Sequence, residues 1–548
     1  MIPVAFSLRL GRWGIAGFSL ISFVTIYVQT AAYYQIAGHS IRGRAAFGQS
    51  ITNIAAHFTA VFPPPVRPDT VGGYVEWRGF HALALLLSIW ALVSATAMVR
   101  ADEEHGIVEA TLATGISRAQ ALTAHAAGFV ISAAIASAAA GVALIVGVLV
   151  GGETPDTLNV LQASLLITLL ALSSYGLAML VSQLFATRGA TAIAASLLLS
   201  LFLLDSLSRV YTSLSTVRWL SPFTYYDQST VLPPGGTFDR GAAVVLFAIF
   251  AVATAAAALA FSRRDLGGPL LPIPRRRHVA SYEPSGAPWL PVPVLRELYT
   301  RRVGLLVWCA GVAAMADVLV GVTRQALQPL LALQTLFPNF GAMVRGDVYP
   351  TLLDFTWFNF AELLFAGFAI TQVGRWAAED ADGRLEAVLS QPRSRAGVVV
   401  ERMAVLVIGA TLIAGVSGVA IFFASQSQGI PLNAARVEAA SLMLVPLAAF
   451  FAGAGALLSA WKPRAAVGVL GGFTFLSFLD SEVGPILRFP AWLQDLSPFK
   501  LFGTPLVSGV DNRNLALMLA IALAGFAGSI LAMQGRDVGA YPAPAYGK

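Results

Sequence analysis

Residues 123–150, TAHAAGFVISAAIASAAAGVALIVGVLV, decide the fold, because this run holds no Asp, Glu, Lys or Arg over 28 positions. A helix of about 20 residues, rising 1.5 Å per residue, crosses a hydrocarbon core of about 30 Å. A helix that is apolar on every face needs apolar cover all round, which a bilayer supplies. Working outward, comparable blocks recur at 13–33, 79–99, 159–184, 188–208 and 241–261, then at 303–323, 354–375, 398–424, 436–460, 464–480 and 515–533. The chain is 57% apolar and 12% charged, whereas a soluble domain carries about 25% charged residues. The pattern predicts an all-α polytopic membrane protein with twelve transmembrane helices.

Charge sets the expected orientation. With the N-terminus inside, the predicted inner segments hold 22 of the 35 Lys and Arg residues and the outer loops 13, so both termini are expected in the cytoplasm. The net charge of +6 is spread over the ends of apolar blocks, with no run dense enough for nucleic acid. The single cysteine, Cys309, excludes an intrachain disulfide. The run from Trp13 to Tyr33 is too long for the apolar region of a signal peptide and is expected to stay as the first helix.

The segment 263–293, rich in proline and carrying Arg275-Arg276-Arg277, reads as a cytoplasmic linker between two halves, 1–262 and 294–548. The halves resemble each other. Ala101–Ala119 (ADEEHGIVEATLATGISRA) and Ala378–Ala396 (AEDADGRLEAVLSQPRSRA) share 8 of 19 residues at an offset of 277. Leu204-Asp205-Ser206 matches Leu479-Asp480-Ser481, Leu220-Ser221-Pro222-Phe223 matches Leu496-Ser497-Pro498-Phe499, and Arg264-Asp265-Leu266-Gly267 matches Arg536-Asp537-Val538-Gly539. Four collinear matches at offsets of 272–277 predict two parallel six-helix repeats related by an axis along the membrane normal.

The acidic segment after the second span is the main functional signal. It carries Asp102, Glu103, Glu104 and Glu109 in one half and Glu379, Asp380, Asp382 and Glu386 in the other. Helical spacing puts Glu103, Ile107 and Ala110 on one face, and Gly115 or Pro392 stops the segment. A short charged helix repeated on the cytoplasmic side suits a two-fold soluble partner; a solvated polar turn is the plainer alternative. The pattern Glu103-Gly106-Glu109-Leu112 followed by Ser117-Arg118, and Asp380-Gly383-Glu386-Leu389 followed by Ser394-Arg395, resembles the coupling-loop region of ABC-2 type ABC exporter permeases. The duplicated layout is most similar to the tetronasin-type antibiotic exporter permeases of actinobacteria. The resemblance implies that Glu103, Glu104, Gly106, Glu109, Arg118, Asp380, Gly383, Glu386 and Arg395 couple the permease to an ATPase. It also implies amphipathic connecting helices at Arg9–Arg12 and Val294–Arg302, and re-entrant outer segments at the Ser-Pro-Phe motifs.

No G-x-x-x-x-G-K-[ST] occurs, and none of Lys462, Lys500 and Lys548 follows such a loop, so the chain is not expected to be an enzyme. ATP and magnesium would belong to a separate nucleotide-binding subunit, in two copies of one polypeptide. Neither a metal site nor a Ser/His/Asp grouping is apparent in the sequence.

Ionisable residues within spans are candidate functional groups. Asp205 and Asp480 fall roughly 25 Å from the inner ends of their helices, where an Asp-Ser pair is expected to cap a following helix. Asp317 and Glu362 fall roughly 20 Å from the inner face, with non-acidic counterparts at Tyr27 and Leu85. By resemblance, Phe358, Glu362, Phe365, Phe473, Phe475 and Phe478 line the substrate path, and the intramembrane acids Asp317 and Glu362 are candidates to recognise a cationic substrate or shape the exit; ordinary packing, and pairing of the acids with Arg324 or Arg345, is the alternative. The expected function is export of hydrophobic or amphipathic small molecules, such as antibiotics and drugs, across the plasma membrane. A twelve-span secondary transporter of the major facilitator kind is the rival, since Ala381-Asp382-Gly383-Arg384 is faintly similar to a loop of that family. A membrane assembly or regulatory subunit is a third reading.

Overall fold

Apolar side chains cover the faces of nearly every long helix, and those helices account for most of the computed structural model. It describes residues 2–55, 63–97, 103, 106–185, 187–209, 211–266, 268–270, 292–336, 348–381, 383–487 and 489–535. Among them the chain is helical, with one isolated antiparallel bridge between Thr230 and Thr237. It divides into two compact units, Met1–Val279 and Ala280–Lys548.

In the first unit the principal helices are α1 (Ile2–Ala37), α2 (Val71–Thr96), α3 (Ile107–Ala113), α4 (Arg118–Val150), α5 (Thr157–Leu184), α6 (Thr187–Ser208), α7 (Pro222–Tyr226) and α8 (Arg240–Arg263). Those of the second are α9 (Pro293–Leu336), α10 (Tyr349–Asp380), α11 (Arg384–Leu389), α12 (Arg395–Ser427), α13 (Ala434–Trp461), α14 (Pro463–Leu487), α15 (Pro498–Phe502) and α16 (Asn512–Gln534). Ten of these are long and apolar enough to cross a bilayer. The expected fifth and eleventh spans are shorter apolar stretches, Ile193–Ser208 and Ala465–Ser481.

Each unit packs around one central helix. In the first, α5 lies against α2, α4 and α8, while α1 packs along α4. In the second, α13 contacts α10, α12, α14 and α16, while α9 packs along α12. The most apolar windows of α5 and α13 are 83% and 67% buried, against 18% for α9, so α5 and α13 are the hubs of their units and α9 lies at the edge of the second. Small residues permit the close crossings: a Cβ on Gly147 of α4 would lie 2.7 Å from Thr30 of α1. The Gly147–Gly151 pair is thus a helix contact, as small residues four apart suggest.

The expectation of separate amphipathic helices at Arg9–Arg12 and Val294–Arg302 is corrected. Both stretches are continuous with the following span, in α1 and α9. No proline or glycine-rich turn interrupts either one, so the hydrogen-bond ladder runs through. The expectation that Asp205 and Asp480 cap a following helix is also corrected, because both lie inside helices, α6 and α14.

Candidate functional site

The acidic segments fold by the same local device in both units. Gly106 and Gly383 adopt left-handed backbone angles, φ 72° and φ 71°, immediately before α3 and α11. An L side chain at such an angle costs roughly 1–2 kcal/mol, so glycine is the residue that fits. Each glycine N–H donates to the carbonyl three residues back, Glu103 O at 3.1 Å and Asp380 O at 3.2 Å. The turn explains why Glu103 does not share a helical face with Ile107 and Ala110, as expected from spacing: Glu103 precedes the reversal and α3 begins after it.

The Ser-Arg pair has two structural tasks. Ser117 and Ser394 are extended N-caps of α4 and α12, accepting from Gln120 N and Gly397 N respectively, which satisfies donors that a helix start leaves open. Arg118 donates to the carbonyls of Phe261 at 3.4 Å and Arg264 at 2.6 Å. Arg395 donates to Met533 O and, at 3.2 Å, to Gln534 O. Each arginine thereby satisfies carbonyls left open where α8 or α16 ends.

Glu103 is the buried end of the device. Its two carboxylate oxygens each accept from Arg264 at 2.8 Å, and the side chains of Arg264 and Glu103 are 1% and 2% accessible. Arg264 Nε donates to Gln183 Oε1 at 2.7 Å, so a planar fork joins the acidic segment to α5 and α8. Spacing missed Arg264, although its place in the repeated Arg-Asp-x-Gly motif was a visible signal. Glu109 and Glu386, by contrast, are exposed on α3 and α11. The expected coupling set therefore separates: Glu103, Arg118 and Arg395 engage their own unit, Asp380 is buried, and Glu109 and Glu386 face outward. Glu104, Asp102 and Asp382 lie outside the described residues.

At the opposite ends of α2 and α10, each helix contains a five-residue π segment, Glu76–Phe80 and Asp354–Phe358. Such bulges mark sites under special demands. Here each begins with an acid that accepts from the backbone of a following segment. Glu76 accepts from Val231 N at 3.0 Å and Leu232 N at 2.9 Å, in a loop, while Asp354 accepts from Val507 N at 3.3 Å, in the short helix Pro505–Ser508. These segments follow α7 and α15, the Ser-Pro-Phe helices, which carry Ser221 and Ser497 at their N-caps and proline at the first turn. Neither acid was singled out from sequence, because a lone carboxylate at a span's edge reads as an ordinary boundary.

The first unit adds an ion cluster at this end. Arg209 donates to Asp205 and, at 2.6 Å, to Asp227; Asp205 also accepts from Thr224 at 2.8 Å. His81 Nε2 lies 3.3 Å from Asp227, and its Nδ1 lies 2.8 Å from Glu76 O. Burial pushes the Asp227 carboxyl up, but His81 and Arg209 outweigh it and hold the group below the usual carboxylate range. Asp205 is thus a tie between α6 and α7. Both carboxylate oxygens of Asp480 are buried without a hydrogen-bond partner among the described residues.

Residues expected along a substrate path fall into two environments. Phe358, Phe365 and Glu362 are buried in the second unit, Glu362 to 5% exposure, and the Phe358 ring lies 6.3 Å from that of Phe502. Asp317 is exposed, Phe473 is 38% exposed, and Phe475 and Phe478 are half-buried. Aligning the two π segments pairs Glu362 with Ala84, not Leu85. The acid still has no counterpart in the first unit. Arg324, an expected partner for the acids, donates to the Tyr349 hydroxyl; Arg345 lies outside the described residues. No group of three or more potential metal ligands occurs among the described residues.

The family model described as "Multidrug efflux system permease Rv1217c, C-terminal domain" matches residues 2–262 and 297–533. No curated protein matches the chain.

Proposed function

The chain belongs to the multidrug efflux permease family, and from that premise we propose that it is the membrane-spanning permease of an ABC-2 type exporter, related to the tetronasin-type exporters. In this reading twelve spans form two parallel six-helix repeats, both termini are cytoplasmic, and the chain hydrolyses nothing itself. Two copies of a soluble ATPase supply the energy, with ATP and magnesium bound on that partner. Closure of the ATPase pair pushes on α3 and α11 and drives a hydrophobic or amphipathic compound out of the cell.

The observation that carries the proposal is the paired loop device. Two segments far apart in sequence build the same left-handed glycine, serine cap and arginine tie, and each leaves one glutamate exposed. Folding alone explains the buried members. The first-turn position gives each carboxylate only about 0.3–1 kcal/mol with the helix dipole, which does not explain why Glu109 and Glu386 both face solvent at equivalent places. A partner with two equivalent docking surfaces does.

Co-purification tests the proposal. Tagged permease expressed with the ATPase encoded beside it should yield two ATPase copies per permease chain. A folded permease that retains no ATPase, or transport that persists without one, would favour the facilitator reading instead.

Substrate choice is proposed to depend on Glu362. A carboxylate inside a membrane helix is costly unless it meets water, a partner or a ligand, and the first unit does without one at Ala84. Glu362→Gln preserves shape and removes the charge. It should shift export away from cationic compounds relative to neutral ones, with expression and melting temperature measured alongside to separate loss of charge from loss of fold. Equal export of both classes by that variant would remove Glu362 from the substrate path.

A further inference from the structure

Two apolar runs of the second unit, 303–323 and 354–375, are bounded by arginine: Arg301 and Arg302 precede the first and Arg375 closes the second. Two contacts set these ends of α9 and α10 at one level. Arg301 donates to Gln372 of α10, and the rings of Trp308 and Phe368 meet edge to face at 5.6 Å. The cations therefore stand at one boundary of the hydrocarbon core, where lipid phosphates lie.

The charges at this boundary do not balance. Arg301 Nε donates to Glu297 Oε1 at 2.6 Å, Arg302 donates to Tyr299 O at 2.9 Å, and Arg402 takes Glu379 at 2.7 Å. Arg375 is exposed, and among the described residues its guanidinium has neither a hydrogen bond nor an ion pair. Arg301 repels it more than either Glu297 or Glu379 attracts it. It lies along α9, since a Cβ on Gly304 would stand 3.9 Å from Arg375 Nη2. Next along α9, Val303, Leu306 and Val307 are each at least 65% exposed, so an apolar wall leads away from the two guanidiniums. The first unit has no such pair. The register that sets Glu362 against Ala84 sets Arg375 against Ala97, and the one that sets Asp317 against Tyr27 sets Arg301 against Gly11.

We propose that Arg301 and Arg375 form a binding site for an anionic phospholipid, its phosphodiester between the two guanidiniums and an acyl chain along Val303, Leu306 and Val307. With Glu297 counted against Arg301, one positive charge is left over, and one phosphodiester balances it. Guanidinium N–H groups match phosphate oxygens in geometry as well as charge. A headgroup without an ammonium, such as glycerol, adds no cation beside the two arginines. The bound lipid joins α9, whose most apolar window is 18% buried, to α10. The site requires a bilayer and no ATPase.

Native mass spectrometry of the full chain tests the site. Delipidated protein is titrated with phosphatidylglycerol or with phosphatidylcholine of the same acyl chains. The wild type should prefer phosphatidylglycerol, and Arg375→Gln should bind it about tenfold more weakly, while phosphatidylcholine binds both proteins alike. Equal phosphatidylglycerol binding by a folded Arg375→Gln protein would overturn the proposal. Displacement of the lipid by inorganic phosphate alone would also overturn it, by marking a site for a free anion. A second measurement needs no variant. Phosphatidylglycerol with a photoreactive acyl chain should label the wild-type peptide containing 303–307, and unlabelled phosphatidylglycerol should suppress that labelling where phosphatidylcholine does not. Labelling confined to other helices would refute the site.

Discussion

Arg264→Ala should lower the stability of the permease by about 3–5 kcal/mol, because it leaves the Glu103 carboxylate buried without its counter-charge. The two carboxylate–guanidinium hydrogen bonds, both 2.8 Å, and the bond to Gln183 are lost together. Against a total folding stability of about 5–15 kcal/mol, this predicts a large fall in folded yield and melting temperature. Charge alone does not rescue the site: Arg264→Lys keeps the cation but cannot make the planar bidentate contact. Removing both partners should be gentler. A Glu103→Leu, Arg264→Met protein exchanges an ion pair for apolar packing, which is often neutral or stabilising. Thermal melts of the singles and the double form a mutant cycle that should be strongly non-additive. Additive losses would show that Arg264 acts through its other bonds, to the Asp265 and Gly268 carbonyls.

On the proposed reading, in which a separate ATPase docks on α3 and α11, replacing both Glu109 and Glu386 by alanine should uncouple transport from ATP turnover while leaving the fold intact. Each side chain is exposed in the first turn of its helix, where a carboxylate contributes only about 0.3–1 kcal/mol with the helix dipole, so melting temperature should move little. On docking, each carboxylate would make charge-assisted hydrogen bonds worth about 1.5–3 kcal/mol, which corresponds to roughly 10–100-fold in affinity or coupling per site. The double variant should therefore show a much larger loss of transport-stimulated ATP hydrolysis than either single. Glu103→Gln provides the contrast: its effect should appear first in stability, since its carboxylate is spent on Arg264. Wild-type coupling in the double alanine variant would mean that the partner does not use these groups.

The two halves of the coupling assignment were unequally legible in the sequence. Glu103 and Glu109 look alike as letters six positions apart, and helical spacing alone placed Glu103 on a face with Ile107. One left-handed glycine between them, Gly106, turns the first inward and leaves the second outward. Likewise Ser117-Arg118 reads as part of a partner-binding motif, yet the serine caps α4 and the arginine holds the end of α8. Their repetition is explained by folding before any partner is considered. At the other end, Asp205 looked like a cap because an Asp-Ser pair is a common helix start. It lies instead inside α6, where Arg209 and Thr224 reach it from one turn away and from α7.

By itself the sequence determined the all-helical membrane class, because this follows from one-dimensional quantities, hydropathy and its block length; the spacing of matching residues pointed to the paired loops. A run such as 123–150 has one stable solution in water and lipid, whatever its neighbours do. Only the tertiary structure decided which charges are spent and which are offered. Arg264 meets Glu103 across 161 positions of chain and Glu76 meets Val231 across 155, distances over which no local pattern carries information. Electrostatic pairing depends on separation in space and on exclusion of water, and both are properties of the packed helices.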